Sequence, residues 1–526
     1  MLSEQPHRLV TSLTERWQPL EAEFHEVYWD SQVSANPESE RRRAEIELEL
    51  RRLKGDAEAL EIVKGALEGT IHDDLLRRQL EVLRLSLTGN QMTEAQRVQL
   101  VELSSAVETD FAAYRPQVEG RRLSDNEIDD ILRDSNDERL RRSAWEASKE
   151  VGGVVADRVR EMARARNEFA RDLGYADYYR MSLDLQELPE DWLFGVLDEL
   201  ESLTDEPFAR WKEELDGSLQ ARFGTTTLYP WHYADPFFQQ LPPDGAPNLD
   251  GVLADRAAGD LAIRTFELWG VDLADVMAAS DLFPREEKSQ HAFCIDVDRA
   301  GDVRILANVV PGERWIEVML HESGHAAYDI SIDHNLPYLL RRPAHTFVTE
   351  AIALMSGRLV KNQGWLERVA GVGGDKLAPI TGQLKNASSA QKNLFARWGL
   401  VMVHFERAFY SDPESDLDAK WWELVQRFQL VTPPPGRRAP DWAAKIHVAV
   451  APVYYQNYLL GELLASQLEK TCEREFGDFV GLREAGNLLE ERVFRRGASA
   501  RWDSIVEDAC GPLSAEDFAA GARLNR

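Results

Sequence analysis

The residues best suited to chemistry are His321-Glu322-Ser323-Gly324-His325, inside the run ERWIEVMLHESGHAAYDI. The flanks (Trp315, Ile316, Val318, Met319, Leu320) suit a helix and contain no proline. On a helix, His321 and His325 lie one turn apart on one face. Two imidazoles so placed can ligate one metal ion. Glu322, offset around the helix, falls where a general base toward an activated water is needed. Five of the 11 histidines (His291, His321, His325, His334 and His345) crowd into residues 291–345, which argues against a chance pair on a surface helix. A catalytic zinc takes three protein ligands. The candidate third is Glu350, 25 residues beyond His325 in TFVTEAIALMSGRLV. Its carboxylate, alone among apolar neighbours, is costly to bury unpaired. Metal ligation satisfies it; an ion pair with Arg341 or Arg342 is the alternative. His334 and His345 could touch substrate, although ordinary loop hydrogen bonding is the commoner role.

Two further clusters qualify. Near the C-terminus, Lys445, His447, Tyr454, Tyr455 and Tyr458 interrupt the apolar run DWAAKIHVAVAPVYYQNYLLGELLASQL. Tyr455 and Tyr458 share a face if helical. Tyr O–H and His N–H groups suit a developing oxyanion; a core helix whose hydroxyls find local partners is the plainer reading of this segment. Upstream, HAFCIDVD and DVRILANVV flank Arg299-Ala300-Gly301 as a β-hairpin. Its outer edge could pair with an extended peptide, or the hairpin could simply cover the core.

Around these groups the chain reads as helical. Amphipathic patterns recur at about 38–67, 70–90, 92–118, 126–149, 151–173 and 188–222, each with an apolar stripe and a solvated face. The stretch 223–250, rich in Pro and aromatics, reads as an ordered loop. No fixed-period repeat suggests a solenoid.

Charge narrows the partners. The 526 residues carry 61 Lys+Arg against 91 Asp+Glu, a net −30. Nucleic acid and anionic membranes are disfavoured partners for such a chain; cationic peptides could be drawn to it. Three scattered cysteines do not suggest a disulfide scaffold. The N-terminal MLSEQPHRLVTSLTERW lacks an apolar signal segment, and no window is apolar enough to span a bilayer, so a cytoplasmic protein is expected.

Taken together, residues 313–350 resemble gluzincin peptidases of the angiotensin-converting-enzyme type, with the thimet oligopeptidase and oligopeptidase F clan as close relatives. The hairpin HAFCIDVDRAGDVRI, the run LPYLLRRPAHTFVTEAI and the segment AKIHV with its paired tyrosines are similar to the family's corresponding stretches. The resemblance implies His321, His325 and Glu350 as zinc ligands and Glu322 as general base. It implies that His291 and the Ala292 backbone hold the substrate, that Tyr458 and His447 stabilise the tetrahedral intermediate, and that Tyr455 and Lys445 bind toward the substrate's C-terminal side.

The sequence departs from the pattern in four places. Leu354 stands where an acid is expected one turn after Glu350. The spacing from His447 to Tyr458 is one residue longer, which implies a bulge or register shift. Gln456 and Asn457 replace a chloride-binding arginine, so chloride activation is not expected. No glutamine for the terminal carboxylate is evident near Trp231–Tyr233.

The expected fold is mainly α: a helical two-lobed clamshell with a deep central cleft and a small antiparallel hairpin beside the zinc site. Residues 1–526 are read as one helical unit, with 1–140 a helical lid or lobe and 141–526 the catalytic region. The expected activity is zinc-dependent hydrolysis of short peptides, by release of C-terminal dipeptides or by internal cuts. A zinc amidohydrolase acting on another substrate, and an inactive helical binding scaffold, are the alternatives. Oligomeric state is left open.

Overall fold

The computed structural model describes residues 4–34, 36–242 and 247–523. Part of the expected loop at 223–250, and both chain ends, lie outside them. The fold is mainly α. Among the described residues, strand structure consists of two antiparallel pairs: β1 (Gln117–Val118) with β2 (Arg121–Arg122), and β3 (Phe293–Asp296) with β4 (Val303–Leu306). No helix among the described residues is long and apolar enough to cross a membrane.

The chain divides into two compact units, each assembled from three separate stretches. The first comprises Met1–Gln91, Asn248–Thr381 and Leu460–Asp517; the second comprises Met92–Pro247, Gly382–Leu459 and Phe518–Arg526.

In the first unit, α1 (Glu4–Val33) buries Val10, Leu13 and Trp17 against Leu60, Val63, Leu80, Leu83 and Leu340. This is the apolar stripe of an amphipathic helix meeting those of its neighbours. The polar side of α1 does something the sequence did not suggest: it clasps the β3–β4 hairpin. Buried Glu21 receives hydrogen bonds from Lys54 at 2.6 Å and from the Tyr338 hydroxyl at 2.7 Å, and it pairs with Arg299 of the hairpin turn at 3.1 Å. Burial alone would raise this carboxyl; the charges of Arg299 and Lys54 outweigh it and bring it down to about 2. Arg304 of β4 reaches Glu26 at 2.9 Å, and the rings of Tyr28 and Trp29 pack on Phe293. The hairpin turn itself has Arg299 and Gly301 at positive φ (55° and 115°), where the sequence places the turn.

The second unit is built on α2 (Glu138–Asp172) and α3 (Glu190–Phe223). The separate patterns expected at 126–149 and 151–173 merge: a short helix Asp125–Asp134 precedes one continuous α2. Gly152-Gly153 does not break α2. Gly152 is instead a point of close approach, because a Cβ there would overlap the Pro440 carbonyl oxygen. The core is aromatic, with Trp145 beside Trp422, and Trp398 and Phe405 edge-on to Trp421.

Candidate active site

In the first unit, α4 (Glu313–Ser331) carries the two histidines and α5 (Thr346–Gly357) carries Glu350. Small residues let these helices approach. A Cβ on Gly324 would lie 2.5 Å from Ser356 Oγ and 2.7 Å from Ala353 Cα. Ser356 Oγ donates to the Leu320 carbonyl at 2.9 Å, tying the helices together. The glycine between the two histidines is thus a packing requirement, and the approach sets the site.

His321 and His325 stand with ring centroids 5.1 Å apart. The Nε2 of each lies 3.8 Å from a different oxygen of Glu350. Ligand atoms from the three residues all fall within 4.8 Å of one another, and no other such group occurs among the described residues. Glu350 therefore faces the imidazoles; Arg341, one of the alternative partners, donates its Nε to the Leu336 carbonyl at 2.7 Å. The opposite side of Glu350 is crowded: a Cβ on Gly461 would come within 3.1 Å of its Cγ.

Burial lowers the imidazoles, His321 to about 4 and His325 to about 3, so both are neutral near pH 7, the form that ligates metal. Burial raises Glu350 to about 7, assisted by the charge of Glu462. Glu322 is 8 % exposed and raised to about 8, by burial and then by the charge of Glu350, with the Cys294 N–H of β3 opposing the shift. Two neutral nitrogens and one carboxylate form the donor set that holds catalytic zinc, and these residues fit that ion.

A cavity opens beside Glu322 and His325, lined also by Ala292, Cys294, Asp296 and Asp329. Ala292 thus lines the same cavity as Glu322, whereas His291 is exposed. His345 serves α5: its Nδ1 accepts the Phe347 N–H at 3.1 Å as an N-cap. His334 is exposed.

The other candidates lie in the second unit. Lys445 Nζ donates to Gln239 Oε1 at 3.3 Å and sits 5.2 Å over the rings of Phe237 and Trp398. Burial lowers Lys445 to about 8, against the opposing pull of Asp235. Asp235, 1 % exposed, accepts the backbone N–H of Phe237, Gln239 and Gln240, each at 2.8 Å, and so fixes the loop that presents Gln239. Sequence reading missed Gln239. Its signal was a polar pair at the end of the aromatic run DPFFQQ, six residues beyond Tyr233.

The His447 and Tyr455 rings are 5.5 Å apart, as are those of Tyr455 and Tyr458. The Tyr455 hydroxyl accepts Trp398 Nε1–H at 3.3 Å. The Nδ1 of His447 is buried without a hydrogen-bond partner, and burial followed by the charge of Lys445 lowers the ring to about 4. Between His447 and Tyr458, where a bulge or register shift is expected, the helix breaks. A short turn His447–Val450 ends, Val453 takes φ +54°, and the chain resumes helix at Tyr455. That strained valine is held by its N–H to buried Glu406 at 2.8 Å. Gln456 and Asn457 both turn to Gln186 Oε1, at 3.1 and 2.9 Å.

A model of the angiotensin-converting enzyme family matches residues 3–207 and 284–518, most of the chain. A search of curated proteins returns no match.

Proposed function

The chain belongs to the angiotensin-converting enzyme family and is a zinc metallopeptidase, and from that premise we propose that it removes dipeptides from the free C-terminus of short peptides. The observation that carries the chemical half of this reading is the convergence of His321, His325 and Glu350 beside buried Glu322. A zinc ion bound there would polarise the scissile carbonyl and acidify the attacking water. Glu322 takes the proton of that water and returns it to the leaving amine. The Ala292 backbone and the edge of β3 would align the substrate as an added strand, with His291 a further contact. Tyr458 and His447 are assigned to the developing oxyanion. These substrate roles rest on the family likeness.

Dipeptide release, as against internal cutting, is the reading that a carboxylate-binding group would serve, and Gln239 beside Lys445 is the candidate for it. An ammonium and an amide, with Tyr455 assigned alongside, are suitable donors for a terminal carboxylate. Mass spectrometry of one unlabelled peptide, offered with a free and with an amidated C-terminus, tests the reading. Successive dipeptides are expected from the free acid, and much slower cleavage of the amide. Internal cuts indifferent to amidation would assign an oligoendopeptidase, and an absence of cleavage would remove peptide hydrolysis altogether.

A further inference from the structure

The two candidate histidine ligands are supported unequally. The Nδ1 of His325, the nitrogen turned away from Glu350, lies 2.8 Å from Thr349 Oγ1. Among the described residues, His321 has no counterpart to that bond. Thr349 is also the residue immediately before Glu350, so one turn of α5 supplies a ligand and the support of a second ligand. The position one turn later, where an acidic partner is expected, is Leu354; its Cδ1 lies 3.4 Å from where a Gly461 Cβ would stand, an apolar contact.

We propose that Thr349 is the residue that positions His325 for metal binding, a neutral hydroxyl doing at this site what an acid does elsewhere. With the ring's Nδ1–H donated to Thr349 Oγ1, the Nε2 lone pair is left facing Glu350, and rotation of the ring is restrained. A hydroxyl withdraws less proton density from the imidazole than a carboxylate would, so the ring remains a weaker donor and the metal is held less tightly than with an acidic partner. The inference rests on the zinc reading above and is separable from it.

The test is zinc affinity, measured by competition with a chromogenic chelator, for T349V and T349S, each combined with E322Q so that hydrolysis plays no part. T349V keeps the shape and removes the acceptor; T349S keeps the acceptor and removes the methyl. T349V is expected to weaken zinc binding by ~10–100-fold, the usual cost of losing such a partner, and T349S to stay close to the Thr349 protein. T349V binding as tightly as the Thr349 protein would overturn the proposal, as would T349S binding as weakly as T349V, which would assign the effect to packing of the methyl group. If E322Q alone took up no zinc, the metal reading itself would fall.

Discussion

The two units hold their functional groups in different ways. In the first, all candidate ligands fall between residues 321 and 350, on two helices drawn together by Gly324 and Ser356. Its groups are acids and neutral imidazoles, and burial sets their protonation. In the second, Lys445 meets Gln239 across 206 positions of sequence, through a loop wound around the carboxylate of Asp235. Its groups are a cation, amides and aromatic rings. The first arrangement is written in helical periodicity; the second exists only once the chain has folded. The first suits bond-making chemistry, the second recognition, and they should fail differently.

Replacing Glu322 with Gln breaks the first kind of function and should have the largest effect. The amide cannot accept a proton, so kcat is expected to fall by ~10²–10⁴-fold with KM little changed. A rise confined to KM, with kcat unchanged, would mean that Glu322 binds substrate and does not act as base. K445M breaks the second kind. Loss of a charge-assisted hydrogen bond, about 1.5–3 kcal/mol, should raise KM for free-acid peptides by roughly 10–100-fold and leave amidated peptides nearly unaffected. An equal effect on both peptides would separate Lys445 from carboxylate recognition.

The same lysine gives a pH signature. Because burial lowers it to about 8, its ammonium is complete below that pH and lost above it. KM for free-acid peptides should therefore rise through pH 8, and K445M should flatten the rise. The smallest effect is expected from Q239A, which removes a neutral partner of about 0.5–1.5 kcal/mol. KM should rise by a few-fold to ~10-fold, and selectivity for free acids should weaken in proportion. An unchanged ratio of free-acid to amide hydrolysis would remove Gln239 from the recognition group.

What the sequence made legible follows from the same contrast. The α4 histidines and Glu350 could be read because helix geometry converts spacing into proximity, and because a lone acid among Ala351, Ile352 and Ala353 demands a partner. The hairpin could be read from two β-branched runs and the Arg299-Ala300-Gly301 turn. The role of α1 could not. Nothing local says that Glu21 waits for Arg299, 278 residues away by chain position. Gln239 was hidden for the same reason. The break before Tyr455 lies where a bulge or register shift was expected after His447. Its form, a valine at positive φ anchored on Glu406, depends on a buried partner from a distant helix.

Zinc content tests the central assignment most directly. Native mass spectrometry of the wild-type chain, E322Q and H325A, each expressed with zinc, reads occupancy independently of turnover. One zinc per chain is expected in the wild type and in E322Q, with peptide hydrolysis by E322Q reduced ~10²–10⁴-fold, and no retained zinc is expected in H325A. A wild-type chain that holds no zinc, or an H325A variant that keeps it at full occupancy, would contradict the assignment of His321, His325 and Glu350 as the metal centre.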